Sequence, residues 1–279
     1  MYTTSTYYPR EFMARVIFSW LFLVLVYFFI NHSLLSQFQQ PPLIYPGSDN
    51  SFWVLHILNI PQFLLQHYWA ALLFDMVLTC SCIICIFVPQ QRVFTMITVI
   101  GVWILYVAYC TAAGKHYAQI GYLLVIIPFL VLSADKFDLL WNLLRYWICF
   151  LYVAAGLYKI YYGGFEYEGN MSNLLWQGNA EWVVLNTGYE FQNAITHYLV
   201  QHPGIAQGLF RLATFAELAC IIGFFTKKFD KWLLAGLIGF HIGNLLLLHI
   251  SFVEQSLIFA PFLPWHKWAG SFQLNKSND

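Results

Sequence analysis

Long apolar segments with almost no charged residues are the feature that most constrains how this chain folds. The segment from Phe12 to Ile30, FMARVIFSWLFLVLVYFFI, contains a single charged residue, Arg15. A helix of roughly 20 apolar residues crosses the hydrocarbon core of a bilayer, which is about 30 Å thick. Of the 279 residues, 60% are hydrophobic and 9% are charged, whereas soluble domains contain roughly 25% charged residues. The sequence therefore predicts an all-α integral membrane protein that crosses the bilayer several times.

The apolar segments predict a polytopic bundle of about eight transmembrane helices. Their limits are 12–30, 68–88, 93–111, 117–134, 143–162, 207–225, 232–249 and 252–265. The last segment is short and contains Glu254, Pro261 and Pro264, so we expect it to be re-entrant or tilted. Segment 51–66 contains Pro61 and several polar residues, and we predict that it is a helix in the membrane interface.

The lysine and arginine residues predict the orientation of these spans. If the eight spans alternate in direction, ten of the 13 lysines and arginines fall on one side of the membrane, and Lys115, Lys159 and Arg211 remain for the other side or its edge. Because cytoplasmic loops are enriched in these two residues, both termini are predicted to be cytoplasmic. Loops 31–67 and 163–206 are then extracytoplasmic. We predict one domain over residues 1–279, a multi-pass location in the membrane, and the lipid bilayer as a partner.

Charge and cysteine placement argue against two kinds of binding site. The formal net charge is zero and no run of basic residues is present, so nucleic-acid binding is not expected. The six cysteines all fall within apolar segments, and we predict that they are packing residues. Cys80, Cys82 and Cys85 have no histidine or carboxylate among them, so they do not predict a metal site.

Several ionisable residues fall within or at the edges of the predicted spans. Such residues are rare in membranes, usually face the bundle interior or a water-filled cavity, and tend to mark functional sites. Each of them is therefore a candidate functional residue. They are Asp75, Lys159, Arg211, Glu217, His241, His249 and Glu254.

Lys159 lies in the segment AAGLYKIYYGG, residues 154–164. It follows Arg145 by roughly 14 residues, or about 21 Å of helical rise, which places it in the outer third of the hydrocarbon core. One interpretation is that its ammonium group extends outward to the membrane surface. The other is that it faces the bundle interior, where burial disfavours the charged form. The glycines at 163 and 164 predict that the helix ends directly after Lys159.

Glu217 and His241 are each predicted to lie about 14 Å from the membrane surface, so they can meet near the midplane. On span 232–249, one helix face carries His241, Asn244 and either Leu248 or His249. This polar face has two interpretations that the spacing leaves open. It is either part of a catalytic site or a set of interhelical hydrogen bonds, worth roughly 0.6 kcal/mol each, that hold the bundle together.

Five segments follow one another in a recognisable order. They are GKHYAQIGYLL (114–124), the acidic loop SADKFD (133–138), YVAAGLYKI (152–160), FRLATFAELACIIGFF (210–225) and GFHIGNLLL (239–247). Together they resemble the membrane domain of the vitamin K-dependent gamma-carboxylase and its bacterial relatives, the horizontally transferred transmembrane (HTTM) domain family. In that family an aromatic-x-x-Ala-Gly-x-x-Lys pattern carries a catalytic lysine. The order and spacing of the segments agree with the family over about residues 70–265.

The resemblance implies a set of site residues and a cofactor. Lys159 is implied as an unprotonated base that deprotonates a reduced quinone of the vitamin K type, with His241 and His116 as its catalytic partners. The implied macromolecular partner is a secreted peptide or protein substrate. The residues implied to bind the cofactor are Asn244, Tyr152, Gly156, Glu217 and Arg211.

Three functional hypotheses follow from the sequence. The first is a quinol-dependent enzyme, related to gamma-glutamyl carboxylase, that uses a buried lysine base on the extracytoplasmic side. The second is a non-catalytic membrane protein that assists the assembly or maturation of a secreted peptide. The third is a small proton-coupled transporter in which Glu217, His241 and Lys159 relay the proton.

Overall fold

A computed structural model describes residues 9–39, 50–113, 120–131, 133–166, 169–184, 190–248 and 253–269. Within these ranges all regular secondary structure is helical, in agreement with the predicted all-α class. Short 3₁₀ segments cover Ile127–Leu130, Cys220–Phe224 and Val253–Phe262. The α-helices are α1 (Arg10–Ile30), α2 (Asn50–Ile57), α3 (Ile60–Gln66), α4 (Tyr68–Phe87), α5 (Arg92–Ala113), α6 (Ile120–Ile126), α7 (Ala134–Tyr161), α8 (Asn170–Val184), α9 (Glu190–Gln201), α10 (Pro203–Ala219) and α11 (Asp230–Leu248).

Six helical segments in the described ranges are long and apolar enough to cross a membrane, which is the expected form of a multi-pass membrane protein. The other two predicted spans do not form long helices in these ranges. In place of span 117–134, the described residues contain the short helix α6 followed by a 3₁₀ segment with Pro128 at its start. In place of span 252–265 they contain a 3₁₀ segment that includes Pro261. Proline lacks an N–H group and clashes with the preceding turn, so it interrupts a continuous α-helix. The six segments are Arg10–Ile30, Tyr68–Phe87, Arg92–Tyr109, Ala134–Tyr161, Pro203–Phe224 and Asp230–Leu248.

Helix α7 is longer than the predicted span 143–162 because its first turns include residues 134–138 of the segment SADKFD, which the sequence predicted to be a loop. The helix begins at Ala134 and carries Asp135 in its first turn. A carboxylate at that position interacts favourably with the positive end of the helix dipole. The acidic residues of the segment therefore favour a helix start here.

The chain divides into two compact units, and unit 1 contains Met1–Asn142 and Val253–Asp279. In this unit α1 packs against α4, and α4 packs against α5. Buried residues recur every three or four positions along α1, from Met13 through Ile17 and Leu21 to Phe28, so one face of the helix is covered. Between α4 and α5, the hydroxyl groups of the buried residues Ser81 and Thr98 are hydrogen bonded at 2.9 Å. Two of the cysteines, Cys82 and Cys85, are also buried at these contacts.

Unit 2 contains Leu143–Phe252 and includes most of α7 together with α8, α9, α10 and α11. The predicted extracytoplasmic loop 163–206 is largely helical, because it contains both α8 and α9. A buried apolar cluster is formed by Met171 and Leu175 of α8, Leu199 of α9 and Ala206 of α10. The apolar residues of this segment, which the sequence analysis left without structure, therefore hold α8 and α9 against the longer helices.

Candidate functional site

The candidate site of unit 2 lies along one face of α7. Five residues of this face follow one another at intervals of three or four positions, and residues with this spacing share a helix face. They are Arg145, Cys149, Tyr152, Gly156 and Lys159. The contacts described below place this face against α10 and α11.

Lys159 forms an ion pair with Glu217 of α10. Its Nζ atom donates hydrogen bonds to both carboxylate oxygens of Glu217, at 2.6 Å and 2.7 Å. The side chain of Lys159 is 27% exposed and that of Glu217 is 3% exposed. Helical side chains lean toward the amino-terminal end of their helix, so a lysine in the last turn of α7 can reach back along the bundle. This geometry differs from the outward-extended side chain of the membrane-surface interpretation.

Two phenylalanine rings flank the ammonium group of Lys159. The Nζ atom lies 5.0 Å from the ring centroid of Phe240 and 5.9 Å from that of Phe210. A cation near the face of an aromatic ring is attracted by the negative face of the ring. The ammonium group therefore has a carboxylate and two aromatic rings as neighbours.

Tyr152 and His241 form a second polar contact in the same unit. The Tyr152 hydroxyl group and the His241 Nε2 atom are 2.7 Å apart. The ring of Phe240 packs edge-on against Tyr152, with centroids 6.5 Å apart. Phe240 therefore contacts both polar pairs, since the same ring lies beside the Lys159 ammonium group. The sequence predicted that Glu217 and His241 can meet each other, but in the structure each of them has a partner on α7.

Gly156 allows α7 to approach α10 closely. A Cβ atom at this position would lie 2.9 Å from the Leu218 side chain and 3.4 Å from the backbone oxygen of Thr214. Both contacts are with atoms of this chain, so the space at Gly156 is occupied by α10. The glycine has a packing role that the resemblance, which implied cofactor binding, did not indicate.

The remaining residues of the predicted site are not among the contacts of the Lys159–Glu217 and Tyr152–His241 pairs described above. Arg211 of α10 donates a hydrogen bond from Nη2 to the Phe165 carbonyl oxygen at 2.8 Å, so it contacts the loop after α7. Asn244 of α11 is partly exposed. His116 and His249 lie outside the described residues, and their predicted roles stay predictions. Within the described part of the chain, no three histidine, cysteine or carboxylate side chains are grouped closely enough to hold a metal ion.

A second ion pair, between Arg145 and Asp230, was missed by the sequence analysis. Nη2 and Nε of Arg145 donate to the two Asp230 oxygens at 2.5 Å and 3.0 Å. The guanidinium group also donates to the carbonyl oxygens of Gly223 and Thr226, at 2.6 Å and 2.9 Å. Arg145 is 1% exposed. From the sequence, Arg145 served only to orient the spans and to estimate the depth of Lys159, although an arginine inside an apolar segment and an aspartate at a helix start were signals for a pair.

The two ion pairs have different chemical capacities. A guanidinium group stays protonated in proteins, so Arg145 can hold helices together through Asp230 but cannot itself act as a base. A lysine amine can exist in both protonation states and can act as a base once its proton has been removed. Of these two pairs, Lys159–Glu217 is therefore the one suited to acid–base chemistry.

The motif resemblance remains a prediction from the sequence. Comparisons of the chain with models of protein families, with curated proteins and with solved structures give no match.

Proposed function

We propose that this multi-pass membrane protein removes a proton from a lipid-soluble weak acid, with Lys159 as the base and Glu217 as the group that holds the lysine's own proton. The observation that carries the proposal is the Lys159–Glu217 pair itself. Its atoms are in hydrogen-bond contact at 2.6 Å and 2.7 Å, and the lysine side chain keeps 27% of its surface exposed. A base must be both held in place and reachable by its substrate.

The pair is electrically neutral in two protonation states. One state contains an ammonium and a carboxylate, and the other contains an amine and a carboxylic acid. Moving one proton from Nζ to a Glu217 oxygen converts the first state into the second and leaves no net charge in an apolar region. The cost of a buried isolated charge, which is several kcal/mol, is thereby avoided in both states.

The amine form can accept the substrate proton. The O–H bond of the weak acid breaks, a new N–H bond forms at Nζ, and Glu217 keeps the proton that it received from the lysine. The anion that forms faces the Lys159 ammonium group, whose positive charge stabilises it.

A reduced quinone is the substrate class that we propose. Its ring carries weakly acidic hydroxyl groups, and the aromatic rings of Phe240 and Phe210, which flank the lysine, are neighbours on which an apolar ring can stack. The motif resemblance implies the same compound class. The Tyr152–His241 pair, whose tyrosine ring packs edge-on against Phe240, is proposed to orient the Phe240 ring.

Oxygen consumption with reduced menaquinone or ubiquinone tests the proposal, because deprotonation accelerates the reaction of a quinol with dioxygen. The protein is purified in lipid nanodiscs and compared with Lys159→Ala and Lys159→Arg. We expect both variants to lose catalysed uptake, since arginine keeps the charge of the pair but cannot serve as a base.

The matched control is Asp230→Asn, which weakens the Arg145–Asp230 ion pair. We expect this variant to be less stable but to keep its rate per folded molecule. Full activity of Lys159→Arg, or equal uptake by all the variants and an empty nanodisc, would reject Lys159 as a base.

A second candidate function is favoured by the fact that Lys159 binds both carboxylate oxygens of Glu217. Lys159 donates to both Glu217 oxygens and has a ring on each of two sides, as expected of a purely structural contact between helices. In that case the protein is a non-catalytic partner in the assembly or maturation of a secreted peptide. This alternative predicts that Lys159→Arg supports the cellular function, because arginine preserves the ion pair.

A further inference from the structure

The end of α7 is connected to Lys159 through its backbone. The carbonyl oxygen of Lys159 accepts a hydrogen bond from the N–H group of Gly164 at 2.9 Å, and that of Ile160 accepts one from Gly163 at 3.0 Å. Gly163 has a φ of +73°. These features define a Schellman motif, which terminates a helix with a left-handed glycine. The Gly164 N–H group therefore links the loop directly to the backbone of Lys159.

Two side chains of α10 hold the same loop. Nε2 of Gln207 donates to the Gly164 carbonyl oxygen at 2.5 Å, and Nη2 of Arg211 donates to the Phe165 carbonyl oxygen at 2.8 Å. Gln207 is 1% exposed. Gln207 and Arg211 are four residues apart and therefore share a face of α10. We call these two residues the loop clamp.

The loop clamp and Glu217 belong to the same helix. Gln207 and Glu217 are separated by roughly ten residues, or about 15 Å of helical rise. Helix α10 therefore contacts the end of α7 at two levels, once through the loop clamp and once through the carboxylate that binds Lys159. Because α10 is a continuous helix between these levels, the loop clamp and Glu217 keep a fixed spacing along it.

We propose that Gln207 and Arg211 are positioning residues that hold the loop after α7 and thereby keep the Lys159 ammonium group against Glu217. This inference rests on the proposed function only in giving the pair an acid–base role. The positioning itself is a property of the fold and has its own measurement.

The measurement is the rate at which Lys159 is acylated in the intact protein in nanodiscs. A small N-hydroxysuccinimide ester of acetic acid is the probe, and mass spectrometry quantifies each modified lysine. Only the amine form reacts, so a carboxylate that stabilises the ammonium form slows the reaction. The exposed residues Lys136 and Lys228 provide internal reference rates.

We expect Gln207→Met and Arg211→Met each to raise the acylation rate of Lys159 relative to the reference lysines. The expected increase is about fivefold, which corresponds to one lost hydrogen bond of about 1 kcal/mol. Arg211→Lys, which keeps one donor for the Phe165 carbonyl oxygen, is expected to restore much of the slow rate. Leu212→Ala, a substitution at an exposed position of α10, should leave the rate unchanged.

The direction of the Arg211→Met effect separates positioning from simple electrostatics. Removal of a nearby positive charge would stabilise the Lys159 ammonium group and slow its acylation. Loss of the clamp is expected to accelerate it. An unchanged or slower rate in both methionine variants, with normal reference lysines, would overturn the proposal.

A second substitution displaces the loop while leaving the side chains of Gln207 and Arg211 in place. A Cβ atom at Gly164 would lie 2.7 Å from the Lys159 carbonyl oxygen and 3.0 Å from the Phe210 ring, so Gly164→Ala must displace the loop. We expect the same faster acylation. Gly163→Asn is the matched control, since asparagine tolerates the left-handed conformation and a Cβ atom there meets nothing within 4 Å.

The two proposals can fail separately. If acylation responds as expected but no variant changes quinol oxidation, the positioning role stands and the enzymatic role fails. If oxygen uptake depends on Lys159 while the clamp variants leave its acylation unchanged, the enzymatic role stands and the positioning role fails.

Discussion

Glu217→Gln is the substitution that most directly tests the ion pair on which the candidate site depends. The substitution keeps the size of the side chain and one acceptor oxygen but removes the negative charge. The Lys159 ammonium group is then left with a neutral amide and the two aromatic rings as neighbours. The expected effect is a loss of folding stability that depends on the presence of Lys159.

The size of this loss follows from the exposure of the two partners. Breaking a fully buried ion pair costs about 3–5 kcal/mol, because one charge is left without compensation. The Lys159 side chain retains 27% of its exposure, so its surroundings screen part of the remaining charge. We therefore expect Glu217→Gln to lower the free energy of unfolding by about 2–3 kcal/mol. Lys159→Met leaves a carboxylate that is 3% exposed and should cost more, about 3–5 kcal/mol.

The double variant isolates the interaction energy. If the two side chains interact, Lys159→Met combined with Glu217→Gln should cost about 2 kcal/mol less than the sum of the single substitutions. Reversible unfolding in mixed micelles, titrated with SDS and followed by circular dichroism, provides the free energies. Glu166→Gln is the matched control, since it makes the same chemical change at an exposed position after α7 and should change stability by less than about 0.5 kcal/mol. Equal effects of Glu217→Gln and Glu166→Gln, or an additive double variant, would refute the ion pair.

Three further substitutions have expected outcomes in the same unfolding assay. Gly156→Val should destabilise by about 1–3 kcal/mol because its side chain would overlap Leu218; stability equal to the parent would contradict the close helix approach. Arg145→Met should cost about 3–5 kcal/mol because it leaves Asp230 without its partner, and a loss below about 1 kcal/mol would show that this pair is not buried. Tyr152→Phe should cost about 1–2 kcal/mol through the loss of one partly buried hydrogen bond, with no change in helix content by circular dichroism.

Properties of single segments were predictable from the sequence. The length and apolarity of Arg10–Ile30 or Tyr68–Phe87 are local features, so six of the predicted spans reappear as helices of sufficient length. The end of α7 was also predictable, because Gly163 and Gly164 carry the signal for a helix stop. The absence of a long helix at 117–134 was not predictable from apolarity alone, because hydropathy does not register that Pro128 interrupts the regular backbone hydrogen bonding of a helix. Segment 252–265 was predicted to be re-entrant or tilted from its length and its prolines, and Pro261 lies inside the 3₁₀ segment found there.

The sequence by itself determined that Lys159, Gly156 and Tyr152 share a face of α7, since helical periodicity depends only on residue spacing. The tertiary structure alone decided what that face meets. Whether Lys159 reaches Glu217, the membrane surface or lipid depends on the axial offset and closeness of α7 and α10. These quantities are set by packing between distant parts of the chain, at contacts such as Gly156 against Leu218. The charge of Lys159 was therefore visible in the sequence, whereas its partner was determined by how the helices pack.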